Sequence, residues 1–237
     1  MKANRIFVVA CALCIATMSA FSQGGKNFVI NHFVSDPSVI ESHLVVTDVE
    51  GQGPSVTLKF YNNEGRQIGE GRELIQPFGK LNLNPGKYVN NQVVNGTIHI
   101  SSSGGNIVSE YWQFYKKSSE SWKNTTTIGF DTPGYSKLVC PHFVADKDVD
   151  AYVVLASSSG QDATVVVKFY DDNGQEIGNT RQLVKANGKL ILKPTDYVKT
   201  KTTGVAHVTA TGGKVTGEYW QAQKSKEYQT AVPMGGL

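Results

Sequence analysis

Two sets of three residues in this chain have types and spacing suited to recognition. His99, Glu110 and Trp112 form one set, and His207, Glu218 and Trp220 form the other. An indole face stacks on a sugar ring, and a neighbouring carboxylate and imidazole hydrogen-bond the ring hydroxyls. These six are the candidate ligand-binding residues. The opposing reading is structural. Each tryptophan then covers an edge or packs on the other half of the chain, and each His–Glu is an ordinary cross-strand pair worth roughly 0.2–1 kcal/mol.

Other polar residues carry less. Cys140-Pro141-His142 puts a thiol and an imidazole two apart, on one side of a strand, as a metal site or reactive thiol would. Ile30 occupies the matched place earlier in the chain, which makes Cys140 a small buried hydrophobe. Exposed, it would instead join two chains through a disulfide. His32 and His142 each precede Phe-Val and are expected to satisfy backbone groups. Asp171-Asp172-Asn173-Gly174 lacks the spaced oxygens and closing Glu of a calcium loop and reads as a turn. Asn95-Gly96-Thr97 and Asn124-Thr125-Thr126 fit the glycosylation sequon, which matters only in a host that glycosylates such sites. The chain has no Gly-x-Ser-x-Gly elbow, His-Glu-x-x-His helix or phosphate-binding Gly loop. Glu110 and Glu218 lie in different halves, whereas a glycosidase needs two carboxyls about 5–10 Å apart. No catalytic residue, metal or cofactor is expected, and no enzyme.

The elements that position these residues come in duplicate. Asn31-His32-Phe33-Val34 returns as Pro141-His142-Phe143-Val144, and Glu110-Tyr111-Trp112-Gln113 as Glu218-Tyr219-Trp220-Gln221. Between Gly51 and Val89, 18 of 39 aligned residues are identical without a gap. A period near 110 residues is the size of a domain, not of a solenoid repeat. The expected division is a first repeat over 27–130, a linker over 131–138 and a second repeat over 139–237. Lys59/Lys168, Arg72/Arg181 and Lys80/Lys189 recur at matched positions and read as solvated surface.

Each repeat alternates with period two: Val56, Leu58 and Phe60 against Thr57, Lys59 and Tyr61. Asn63-Glu64-Gly65, Pro85-Gly86, Asn173-Gly174 and Gly212-Gly213 punctuate the strands. No stretch carries a long amphipathic helix. About seven short strands per hundred residues predict an all-β fold of two tandem immunoglobulin-like β-sandwiches. The last strands of each repeat read as a hairpin closed at Gly104-Gly105 or Gly212-Gly213. That register puts Ile98, Ile100, Ile107 and Tyr111 inward, with His99 facing Glu110 and Trp112 outward. The second repeat gives His207 facing Glu218, with Trp220 outward. A one-residue slip would reverse every face.

The Val-Thr-Leu-Lys-Phe-Tyr strand, the Asn/Asp-x-Gly turn after it, the Gly-Lys-Leu strand and the late Gly-x-apolar-x-apolar strand (Gly96 to Ile100, Gly204 to Val208) resemble the tandem immunoglobulin-like repeats of secreted bacterial proteins, many of unassigned function. The resemblance covers nearly all of the chain after residue 22. It implies an extracellular, non-catalytic module and transfers no active-site residue.

Compartment is read from the N-terminus. Lys2 and Arg5 precede an apolar run from Ile6 to Thr17, shorter than the about 20 residues that span a bilayer. Ala20-Phe21-Ser22 fits cleavage before Gln23, so 1–22 is expected to be a secretory signal. A lipoprotein signal at Cys11 and an uncleaved anchor are the alternatives. Cleavage leaves Cys140 as the single cysteine, with no intrachain disulfide. It also lowers the formal charge from +3 to 21 basic against 20 acidic residues, or +1. Such a balance argues against nucleic acid as partner. The reading is an exported module of adhesion, surface structure or assembly. The alternatives are a bivalent carbohydrate-binding protein using both tryptophans, and a filament subunit built by strand addition through Phe28-Val29-Ile30. Partners are then an extracellular polysaccharide, a surface protein or further copies of the chain.

Overall fold

The computed structural model describes residues 24–115, 123–131, 134–223 and 229–237. The expected signal, 1–22, lies outside them. Among the described residues, no helix is long and apolar enough to cross a membrane.

The chain is nearly all β. The first repeat contains β1 (Asn27–Ser35), β2 (Ile40–Asp48), β3 (Ser55–Asn62), β4 (Gln67–Leu74), β5 (Lys80–Leu83), β6 (Val94–Ser103), β7 (Ile107–Tyr115), β8 (Lys123–Ile128) and β9 (Phe130–Asp131). The second contains β10 (Lys137–Ala145), β11 (Val149–Ser157), β12 (Ala163–Tyr170), β13 (Glu176–Val184), β14 (Lys189–Leu192), β15 (Thr202–Thr211), β16 (Val215–Gln223), β17 (Gln229–Pro233) and β18 (Gly235–Gly236). Thus β10 opens at Lys137, inside the segment expected to be a linker. One helical turn follows β5 and another follows β14.

Two sheets with the same order build each repeat. In the first, β4-β3-β6-β1-β9 faces β5-β2-β7-β8. In the second, β13-β12-β15-β10-β18 faces β14-β11-β16-β17. Alternation places one side of every strand between the sheets. Phe33, Leu44, Leu58, Phe60, Ile98 and Tyr111 fill the first core, and Phe143, Val153, Val167, Phe169, Ala206 and Tyr219 the second. The inward residues expected for the last two strands are all buried.

Their partners differ from expectation. β6 pairs with β1 and β3, whereas β7 pairs with β2 and β8. The Gly104-Gly105 turn therefore carries the chain from one sheet to the other, and Gly212-Gly213 does the same. Alternation alone fixes which residues enter the core. It does not distinguish two strands side by side from two strands face to face. In the face-to-face arrangement, outward residues of β6 and β7 lie on opposite outer surfaces of the sandwich. The expected contacts of His99 with Glu110 and of His207 with Glu218 are thereby overturned. Strand addition through Phe28-Val29-Ile30 is overturned too, because β1 lies between β6 and β9 and these three residues are buried.

Both β1 and β10 carry an irregularity at matched places, between Ile30 and Phe33 and between Cys140 and Phe143. A bulge re-aims the side chains it contains. The residues re-aimed are Asn31 and His32 in one repeat, Pro141 and His142 in the other.

Candidate functional site

The His32 bulge meets the outer face of the second repeat. His32 packs its ring edge-on against Trp220, with centroids 4.8 Å apart. Lys189 Nζ, on β14, donates to His32 Nδ1 at 2.6 Å and to the Gly96 carbonyl at 3.1 Å. Thr216 on β16 donates to the Asn31 side-chain oxygen. Thr97 donates to the Asn187 carbonyl at 2.7 Å, and the Lys189 amide donates to the Asn63 carbonyl at 3.0 Å. Two glycines permit the approach. A Cβ on Gly65 would stand 1.9 Å from the Ala186 oxygen, and one on Gly188 2.4 Å from the Asn63 oxygen. The result is a polar junction with little access to water: Asn31, Thr97, Thr216 and Glu218 are fully buried, Lys189 is 6% exposed and Trp220 3%, while His32 is half-buried.

Charge is costly in such a place. Burial lowers Lys189 to about 7 even though the Glu218 carboxylate favours its charged form. Burial, and then the Lys189 charge, hold His32 well below its ordinary 6.5. Both groups bind protons more readily in the unfolded chain. Stability contributed here is therefore lost as pH falls from 10.5 towards 7 through Lys189, and again below 6.5 through His32. Urea midpoints are expected to rise steadily from about pH 5 to about pH 9, and Lys189→Met to flatten the slope above neutrality. A wild-type profile that falls over that range would refute the assignment.

The matched face of the first repeat is open. Trp112 is half-buried and stands opposite His43 on β2. Phe114 stacks flat on it, with centroids 6.3 Å apart and planes 9° from parallel. His43 bonds Asn82 through Nδ1 and Glu41 through Nε2, both at 3.0 Å. Glu110 lies on the same face, two residues from Trp112. His43 and Asn82 escaped the sequence reading because neighbours across a sheet follow only from strand order, whereas Phe114, two residues from Trp112 on β7, was within reach of the alternation.

The remaining candidates are dispersed. His99 lies on the opposite outer face, beside Lys59 and edge-on to Tyr61 at 4.9 Å, and burial with the Lys59 charge lowers it to about 4. His207 is exposed, pairs with Lys168 and lies edge-on to Tyr170 at 5.3 Å. Glu218 and Trp220 belong to the junction, so the second set offers no open recognition face. Lys189, expected at the solvated surface, is the centre of that junction, whereas its counterpart Lys80 is exposed. Cys140 is buried, as its match to Ile30 implies; its Sγ donates to the His142 carbonyl at 3.0 Å, and burial pushes the thiol up to about 12. Among the described residues, no three His, Cys, Asp or Glu side chains cluster as metal ligands.

No protein-family model matches the chain, and no curated protein matches it. Some solved structures are similar at low identity. A crystal structure of Thermotoga maritima 1070 is 14% identical with a TM-score of 0.40, over 46% of this chain and 96% of that one. A glycosyl hydrolase family 2 member from Bacteroides cellulosilyticus is 13% identical with a TM-score of 0.18, and a putative beta-galactosidase from Bacteroides fragilis is 12% identical with a TM-score of 0.21. Each of these two matches 91% of this chain, which spans only 29% and 33% of their respective lengths. Likenesses at these scores carry no argument about activity, so the chain's own residues must supply one.

Proposed function

We propose that this chain is an exported, non-catalytic structural module that serves in adhesion, surface structure or assembly outside the cytoplasm. The junction is the observation that carries this reading. Residues that would face water on a lone sandwich, Lys189, Glu218 and Trp220 among them, instead fix one repeat to the other. A paired unit built this way is a stiff spacer, and duplication adds length to it. The signal-like residues 1–22 supply the route of export.

Antibody labelling of intact and permeabilised producing cells, together with a panel of chromogenic glycosides, tests the reading. Labelled intact cells and no glycoside turnover are expected. Retention of the chain inside the cell with residues 1–22 attached, or turnover of a glycoside, would refute it.

The stacked Trp112–Phe114 pair favours a second reading, a single carbohydrate-binding platform on the first repeat. The bivalent version does not survive the burial of Trp220. Polysaccharide binding that disappears in a folded Trp112→Ala variant is the result expected of the platform.

A further inference from the structure

We propose that the Trp112 face of the first repeat docks onto the His142 bulge of a second copy of this chain. The contact made between repeats inside one molecule is thereby repeated between molecules, and copies join head to tail. The inference rests on the structural-module reading and gives it a partner and a surface.

The duplication supplies the argument. Every surface in the junction has a matched surface elsewhere in the chain, and those matches are open. Trp220 is 3% exposed while Trp112 is half-buried, and Lys189 is 6% exposed while Lys80 is exposed. Asn31 is fully buried while Pro141 is exposed, and His142 is exposed as well. The groups that make the junction persist: Trp112 and Glu110 for Trp220 and Glu218, Lys80 for Lys189, His142 for His32, and the Gly204 carbonyl for that of Gly96.

At the buried side-chain contact of the junction, both sides change together. The polar contact of Thr216 with Asn31 becomes Val108 with Pro141. The bond that Thr97 donates to the Asn187 main-chain carbonyl has no counterpart at Val205, which instead meets the apolar side chain of Phe78 at the matched position. A surface that lost its partner would leave one polar side chain facing an apolar one; here a polar side-chain pair becomes an apolar pair. The enlargement of Ala222 to Phe114 is absorbed by its stacking on Trp112.

Two local features agree. Phe78 is 77% exposed and holds φ at 55°, a left-handed backbone that disfavours bulky residues. Asn187, at φ 60°, is its counterpart in the junction. Beside His142 lies a pocket of about 140 Å³ lined by Pro141, Tyr219 and Val232 among others. It is apolar and adjoins the place where an incoming indole would meet the imidazole. Because the two faces differ, the contact is heterologous and propagates from copy to copy into a closed ring or an open array.

Light scattering after gel filtration, on the exported form of the full chain over rising concentration, tests the proposal. Masses of two, three and more copies are expected. Trp112→Asp and His142→Asp are each expected to remain single copies. Mixed together they are expected to form a two-copy complex that grows no further, since each brings one intact face. Phe78→Asn keeps the left-handed backbone and serves should Trp112→Asp fail to fold; it is expected to weaken association about ten-fold or more. A wild-type chain that stays a single copy up to its solubility limit would overturn the proposal. So would association that Trp112→Asp and Phe78→Asn leave unchanged. None of those results bears on cell-surface labelling or glycoside turnover, so the module reading stands or falls separately.

Discussion

Lys189→Ala is expected to cost about 3–5 kcal/mol of unfolding free energy, while Lys80→Ala at the matched position changes it by about 0.5 or less. The contrast follows from burial. Lys189 bonds His32 and the Gly96 carbonyl out of contact with water and sits in the field of Glu218. Its removal leaves buried acceptors and a buried carboxyl with less compensation than before. Lys80 is exposed to water in the single chain. Urea unfolding of both variants checks the pair of values. Losing the junction also uncouples the repeats, so the Lys189→Ala transition is expected to broaden or split. Similar losses at both positions would remove Lys189 from its central place.

The second large effect separates the tryptophans. Trp220→Ala empties a site that is 3% exposed and is expected to cost about 3–5 kcal/mol. Trp112→Ala removes a half-buried ring stacked on Phe114, for about 0.5–1.5 kcal/mol. Denaturant unfolding followed by far-UV circular dichroism measures both. Two equivalent ligand sites would predict similar small losses of stability at Trp112 and Trp220. A small loss at Trp220 would therefore reopen that reading and undo the junction.

These contrasts show what the amino-acid pattern revealed and what it hid. Period-two alternation identified the inward residues of β6, β7, β15 and β16, and the duplication made both repeats legible at once. The sandwich class followed. The pairing of the last two strands did not, because Gly104-Gly105 serves equally as a hairpin turn or as a crossing between sheets. His99 and Glu110 were separated by that one ambiguity. The junction was hidden for a different reason: Lys, Glu and Thr at outward positions have the same pattern whether they meet solvent or another sandwich. The recurrence of Lys80 as Lys189 was visible, but nothing in a single sequence says that one copy is wet and the other dry. The clue available was the linked change, Asn31 to Pro141 with Thr216 to Val108, and it acquires meaning only once the structure shows the first pair in contact.

The crossing of the chain at Gly104-Gly105 has a consequence for the order in which the protein takes shape. Strands adjacent in sequence there do not bond to each other, so β1 must wait for β6 and β2 for β7. Asn27 finds Ser101, and Ile40 finds Tyr115. A ribosome must therefore release well over half of the first repeat before either of its central ladders can form, and the second repeat imposes the same delay. Ladders closed over such separations form slowly, on the millisecond-to-second scale typical of all-β domains. Until then only short-range pairs such as β3 with β4 can come and go, and the nascent chain remains a thread that has nothing to unfold.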